Sequence, residues 1–124
     1  MKIICDFETA NTDGVDLKEV GAERYSLDPA TEVLCLCLLD AETRETIAVW
    51  TPGNDIWWIE RLAADPDVEW EAHNAGFEQM IWQNNMEPLY GLPPLPYTRW
   101  SCSMAKAFAK GYPGGLKPLA KAIG

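Results

Sequence analysis

The chain has 124 residues, a length that fits one domain with a buried core. Hydrophobic residues make up 48% of it and charged residues 23%, a composition typical of globular proteins and unlike that of disordered ones. No apolar run approaches the roughly 20 residues of a membrane-spanning helix, and the first residues lack the pattern of a secretion signal. We therefore expect a single domain over residues 1–124, located in the cytoplasm and not in a membrane.

Charge is unevenly distributed along the chain, which has a net charge of −9. All 19 acidic residues lie between Asp6 and Glu87, whereas residues 88–124 carry five basic residues and no acidic one. Such segregation indicates either a basic surface for a polyanion beside an acidic body, or a chain cut from a longer protein. A protein that mimics nucleic acid would explain the net charge but not the basic C-terminal residues.

The four cysteines lie in apolar segments, and no Cys-x-x-Cys pair is present. A zinc site is possible, but we expect small buried hydrophobic residues instead. Disulfides are not expected in a cytoplasmic chain. The four are Cys5, Cys35, Cys37 and Cys102.

The opening run predicts a buried strand that ends in two carboxylates, with the sequence Lys2-Ile3-Ile4-Cys5-Asp6-Phe7-Glu8-Thr9. Because strand side chains alternate between faces, Asp6 and Glu8 project together while Phe7 faces the core. Two adjacent like charges need either exposure or a compensating cation. The pair is therefore either an ordinary polar strand end or part of a divalent-metal site.

The next elements predict hairpin-linked strands. A loop follows at Ala10–Thr31, and then a strand at Glu32–Asp40 with Leu34, Leu36 and Leu38 on one face. Apolar residues on both of its faces indicate a central strand. Asp40–Thr43 predicts a hairpin turn into a strand at Thr46–Trp50.

The remaining elements predict helices interleaved with strands, and so a mixed α/β sheet flanked by helices. Asn54 is expected to cap a helix that buries Ile56, Ile59 and Ala63. The four prolines of Glu87–Pro96 predict a loop. The other predicted elements are strands at Val68–Ala72 and Tyr97–Cys102, and helices at Ala75–Asn85, Ser103–Lys110 and Leu116–Ile123.

A third carboxylate, Glu78, lies in the segment Ala72-His73-Asn74-Ala75-Gly76-Phe77-Glu78. Asn74 is placed to cap the helix, so Glu78 falls near its first turn, where the helix dipole favours an ionised carboxylate. Good local helix design would explain Glu78 alone. Together with Asp6 and Glu8, however, it forms a set of oxygen ligands suited to Mg²⁺ or Mn²⁺.

These two motifs, in this order and about seventy residues apart, resemble the first two motifs of the DEDD 3′–5′ exonuclease superfamily. The similarity is closest to the proofreading domain of bacteriophage-type family A DNA polymerases, and it covers nearly the whole chain. It implies a ribonuclease H-like fold and a two-metal site of Mg²⁺ or Mn²⁺. It also implies release of nucleoside monophosphates from single-stranded or frayed DNA 3′ ends, with a polymerase domain on the same full-length chain. If a phage encodes the protein, the compartment is the host cytoplasm.

The resemblance also implies roles for individual residues. Asp6 would bridge both metals, Glu8 would bind one and align the attacking water, and Glu78 would be the second-motif ligand. We expect contact with the substrate from Thr9, Asn74, Phe77, Trp82, Lys106 and Lys110. Base stacking is the expected role of Trp82 and phosphate contact that of the two lysines, although core packing and a solvated helix face would also explain them.

Two features depart from the family pattern. The family more usually has Asp at the position of Glu78, and the third motif, a Tyr or His followed by a fourth acidic residue, is absent. We therefore expect the chain to be the N-terminal portion of an exonuclease domain, truncated at its C-terminus and inactive alone. The alternative is a non-catalytic ribonuclease H-like scaffold or nucleic-acid-binding module, in which a fourth acid is not required.

Overall fold

The computed structural model describes all residues from Met1 to Gly124 and has an α/β architecture. One five-stranded sheet has the order β3-β2-β1-β4-β5. β2 is antiparallel to β1 and β3, whereas β4 is parallel to β1 and β5. The predicted mixed sheet is therefore confirmed. Its strands are β1 (Lys2–Asn11), β2 (Thr31–Asp40), β3 (Thr46–Trp50), β4 (Glu69–Ala72) and β5 (Trp100–Cys102).

Seven helices flank the sheet, and none is long and apolar enough to cross a membrane. A π-helical segment, Trp82–Met86, joins two of them, and a 3₁₀ turn, Tyr97–Arg99, precedes β5. The helices are α1 (Leu17–Val20), α2 (Ala22–Leu27), α3 (Trp57–Ala64), α4 (Ala75–Ile81), α5 (Glu87–Tyr90), α6 (Ser103–Ala109) and α7 (Leu116–Ile123).

Two segments predicted as loops contain helices. The first predicted loop includes α1 and α2, and Asp16 caps α1 by accepting a hydrogen bond from the Lys18 backbone N–H at 2.9 Å. The second begins with α5, which contains Pro88 near its start. Proline is tolerated there because the first N–H groups of a helix have no partner within it.

The predicted face of β2 with Leu34, Leu36 and Leu38 is wrong at Leu34. Leu36 and Leu38 are fully buried as predicted, but Leu34 is 50% exposed. Glu8 pairs with Cys35 and Thr9 with Val33, so Leu34 has no partner on β1 and lies in a β-bulge. A bulge reverses the alternation of side chains, so Val33 takes the buried position instead. β2 is an interior strand as predicted, because it pairs with β1 on one side and β3 on the other, and β1 is the middle strand of the five.

The start of α3 also differs from the prediction. Its N-cap is Ile56, and the side chain of Asn54 instead donates to the Thr51 hydroxyl. Ile59 and Ala63 are buried as predicted, whereas Ile56 is half-buried. The helix therefore presents the predicted face to the core but begins three residues later than Asn54.

Arg99 connects the end of α3 to the start of β4 through hydrogen bonds. Its guanidinium donates to the backbone carbonyls of Ala63, Asp65 and Val68. Buried carbonyl groups need such partners, and hydrogen bonds from a charged donor are the stronger kind. This side chain therefore stabilises the connection that leads into β4.

The hydrophobic core lies on one face of the sheet, against α2 and α4. On β1, Ile3, Cys5 and Phe7 are buried on that face. All four cysteines are free thiols, but only Cys5 is buried, and the other three are half-buried. The expectation of four buried cysteines is therefore wrong for three of them.

Candidate functional site

Asp6 and Glu8 lie together on the opposite, open face of β1. Both are exposed, and they alternate with the buried residues of the strand. The register places Cys37 of β2 opposite Asp6 and Cys35 opposite Glu8. Partial burial, the charge of Glu8 and a hydrogen bond with the Glu8 carboxyl all raise the pKa of Asp6. The predicted pair therefore forms, and its two members repel each other.

Glu78 lies in the first turn of α4 and is only 3% exposed. Its Oε2 accepts a hydrogen bond from the Phe7 backbone N–H at 3.1 Å, which joins α4 to the strand that carries the acidic pair. Burial raises the pKa of Glu78 to about 8; the Phe7 bond opposes this shift, and the charges of Asp6 and Glu8 add to it. The structure therefore brings the three predicted carboxylates within electrostatic reach of one another.

The three carboxylates have the ligand chemistry that a divalent ion prefers, but they are not arranged as a metal-binding group. Carboxylate oxygens are the ligands that Mg²⁺ and Mn²⁺ prefer, and a cation would relieve the repulsion that raises the pKa of Glu78. Over residues 1–124, however, no group of three or more His, Cys, Asp or Glu side chains is arranged to hold a metal ion. One oxygen of Glu78 is instead engaged by the Phe7 N–H.

Thr9 and Phe77 meet at the end of β1 through Tyr25, a residue that the sequence interpretation missed. The Tyr25 hydroxyl is hydrogen-bonded to Thr9 Oγ1 at 3.0 Å, and the Tyr25 and Phe77 rings lie 6.2 Å apart. Tyr25 belongs to α2, within the predicted loop. The pattern Asp16-x-x-Glu19 is a capping signal that would have indicated helix in this region.

Asn74 occupies the N-cap position of α4 but does not act as predicted. Its backbone is left-handed, with φ 65°, and its side chain makes no capping hydrogen bond. Asparagine is one of the few residues that adopt this conformation readily. Asn74 therefore shapes the turn between β4 and α4, and its side chain is exposed.

Trp82 does not have the expected base-stacking role. It is 1% exposed, its indole N–H donates to the Pro93 carbonyl at 3.0 Å, and its ring lies 5.4 Å from that of Trp70. A nucleobase would have to open the core to reach it. The helical turn that separates Trp82 from Glu78 directs both side chains inward, so the ring serves packing.

The two predicted phosphate-contacting lysines have different surroundings. Lys106 Nζ lies 2.6 Å from Glu71 Oε1, although about half of its side chain is exposed. Lys110, at the end of α6, is exposed and forms no ion pair. Lys106 is therefore already partnered by a carboxylate, a contact that its sequence spacing does not indicate.

A cavity of about 370 Å³ adjoins Asp6 on the open face of the sheet. Glu71 lines it from β4, His73 and Ser103 line it from the β4–α4 turn and α6, and Leu116 lines it from α7. His73 Nδ1 is hydrogen-bonded to Ser103 Oγ at 2.9 Å, and its Nε2 bonds to the Gly114 carbonyl. These bonds fix one wall of the cavity beside the acidic pair.

No protein-family model matches the chain, and no curated protein matches it in sequence. The resemblance to an exonuclease superfamily therefore rests on the motif residues of the sequence alone.

Proposed function

We propose that this chain carries the carboxylate site of a metal-dependent 3′–5′ exonuclease domain of the DEDD superfamily. Its substrate would be a single-stranded or frayed DNA 3′ end, from which it removes nucleoside monophosphates, in a full-length protein that includes a polymerase. The observation that carries the proposal is the hydrogen bond from the Phe7 N–H to Glu78, which brings this carboxylate to the strand segment that holds Asp6 and Glu8. Two of these three carboxylates lie on the central strand and the third on the helix after β4.

The fold supports the same proposal. Antiparallel strands come first, and parallel strands follow after helical connections, which is compatible with the ribonuclease H-like fold that the resemblance implies. The acidic pair lies on the open face of β1, and a cavity adjoins it. A nucleic-acid end can therefore approach Asp6 without displacing the core.

Bound Mg²⁺ or Mn²⁺ would neutralise charge on the phosphodiester and lower the pKa of the attacking water. Asp6 and Glu8 are the exposed residues that would hold it, and Glu78 would complete the set after releasing the Phe7 N–H. Because the pKa of Glu78 is about 8, most Glu78 carboxyls carry a proton at pH 7. Ion binding at neutral pH would therefore remove this proton, and affinity would rise with pH.

A non-catalytic scaffold is the second candidate. It is favoured by the lack of any three-residue metal-ligand group in residues 1–124 and by the raised pKa of Glu78. A neutral Glu78 that is hydrogen-bonded to Phe7 would serve to join α4 to β1, and nothing more. In this case the nucleic acid, if bound, would not be cleaved.

The test is a cleavage assay on 5′-labelled single-stranded DNA with Mg²⁺ and then with Mn²⁺. It compares this chain with the complete product of its reading frame. We expect stepwise shortening from the 3′ end by the complete product and little or none by the 124 residues, because three carboxylates neutralise two divalent ions poorly. Asp6→Asn should abolish the activity, and Asp13→Asn, an exposed change after β1, should not.

Lack of cleavage by the complete product with either ion would refute the enzyme and favour the scaffold. Cleavage that survives Asp6→Asn would also refute the assignment, because a carboxylate charge proposed to hold the metal would have been removed without effect. Strong, Asp6-dependent cleavage by the 124 residues alone would show that the chain contains a further ligand.

A further inference from the structure

Three charged side chains form an ion-pair network on the open face of the sheet. Glu71 Oε1 lies 2.6 Å from Lys106 Nζ, and Glu71 Oε2 lies 3.2 Å from Lys2 Nζ. The Glu71 side chain is only 14% exposed, whereas those of Lys2 and Lys106 are 31% and 52% exposed. One carboxylate thus holds two ammonium groups, which come from β1 and α6.

The network borders the acidic site. Glu71 pairs with Ile4 across β1 and β4, two positions before Asp6 on the same face. Diagonal neighbours in a sheet lie about 7–8 Å apart, and Glu71 and Asp6 line the same cavity. A strand whose terminal phosphodiester lies at Asp6 therefore brings another of its phosphates near the two lysines.

Electrostatics distinguishes this network from an ordinary surface ion pair. Glu71 takes both ammonium groups with one carboxylate, whereas Glu69, opposite Lys2 in the strand register and exposed on the same face, acts on Lys106 by its charge without forming an ion pair. Although burial opposes it, hydrogen bonds from Lys106 and Lys2 lower the pKa of Glu71 below its usual value. The carboxylate is thus ionised at neutral pH and offers both oxygens to the lysines, as a phosphate group would.

Building on the proposed nucleic-acid substrate, we propose that Lys2 and Lys106 form a phosphate-binding pair in which Glu71 is an internal competitor. A phosphodiester of the bound strand displaces the Glu71 carboxylate from the two ammonium groups. Glu71 is thus a positioning residue: it keeps the lysines together on the open face and sets how strongly they bind the backbone. Removing its charge should strengthen binding, which is the opposite of what a purely supportive residue would do.

The experiment measures binding of a fluorescent single-stranded oligothymidylate to the protein in EDTA, so that no metal contributes. Glu71→Gln should tighten binding about fivefold, the order of the contribution of one ion pair. Its salt dependence should become steeper, because more phosphate contacts are made. Lys106→Met should weaken binding and should abolish most of the gain when it is combined with Glu71→Gln.

Two matched controls separate contact from general charge. Glu32→Gln removes the same charge from an exposed position on β2, and Glu32 is not ion-paired with either lysine. Lys18→Met removes the same charge from an exposed position on α1, where no ion pair is present. The carboxylate control should not tighten oligonucleotide binding as Glu71→Gln does, and the lysine control should not weaken it as Lys106→Met does. Thermal unfolding should verify that each variant is folded.

Several results would overturn the proposal. These are unchanged or weaker binding by Glu71→Gln, an equal gain from Glu32→Gln, or an equal loss from Lys18→Met. Displacement of the oligonucleotide by inorganic phosphate at equal total phosphate would make the pair a site for free anions instead. Because binding is measured without metal, failure of the cleavage assay leaves this result intact, and failure here leaves the carboxylate chemistry untouched.

Discussion

Glu78→Gln tests the acidic cluster through stability and without reference to catalysis. Glutamine has the shape of a protonated glutamate, and its oxygen can still accept the hydrogen bond from the Phe7 N–H. The pKa of Glu78 is about 8 in the folded protein, against 4.5 for an ordinary glutamate. The folded state therefore binds more protons than the unfolded state between these two values. Stability that depends on the protonated carboxyl is fully present below pH 4.5 and is lost as the pH rises to 8.

The expected size follows from the same two values. Each pH unit between them costs about 1.4 kcal/mol of unfolding free energy. At pH 7 the wild-type carboxyl should therefore cost about 3 kcal/mol, and at pH 5 less than about 1 kcal/mol. The variant does not titrate at this position. Its advantage over wild type should grow by about 2–3 kcal/mol from pH 5 to pH 7 and level off above pH 8.

The assay is urea unfolding of both proteins in EDTA at intervals between pH 5 and pH 9. Comparing the variant with wild type cancels the other titrating groups that the substitution leaves unchanged. Glu60→Gln, an exposed change on α3, is the control and should show no such pH-dependent advantage. A constant difference between Glu78→Gln and wild type over this range would refute the argument that burial and like charge raise the pKa.

Further predictions concern the metal and the end of α3. Mn²⁺ should raise the melting temperature of wild type by binding the folded state. The Asp6→Asn substitution should abolish this rise, and the control Asp13→Asn should not. A rise that persists in Asp6→Asn would contradict the metal assignment. Arg99→Met leaves backbone carbonyls around α3 without their donor and should cost about 2–3 kcal/mol in urea unfolding. Lys110→Met should cost less than about 0.5 kcal/mol, and an equal loss in both would contradict a specific role for the guanidinium.

Local patterns predicted much of the element order. The alternation of β1 placed Asp6 and Glu8 on one face and Phe7 on the other, as the structure has them. The hairpin into β3 and the helices α6 and α7 also followed from turn residues and periodicity. These features depend on residues close in sequence, so composition and spacing are enough to indicate them.

Sequence interpretation failed where a residue's role depends on a distant partner. Leu34 is exposed because pairing with β1 introduces a bulge. Trp82 is buried because its helix packs with that side toward the sheet, against Trp70. Lys106 is held by Glu71, 35 residues away in sequence. Each outcome depends on strand register or helix packing, which a periodic pattern leaves open.

The candidate site divides in the same way. The sequence by itself determined that β1 carries an acidic pair and that a third carboxylate starts the helix after β4. Only the tertiary structure decided the chemical state of that third carboxylate. Glu78 meets the Phe7 N–H across 71 residues of chain and is buried close to Asp6 and Glu8. Its pKa is set by lost hydration and by neighbouring charge, and both exist only after α4 has packed against β1.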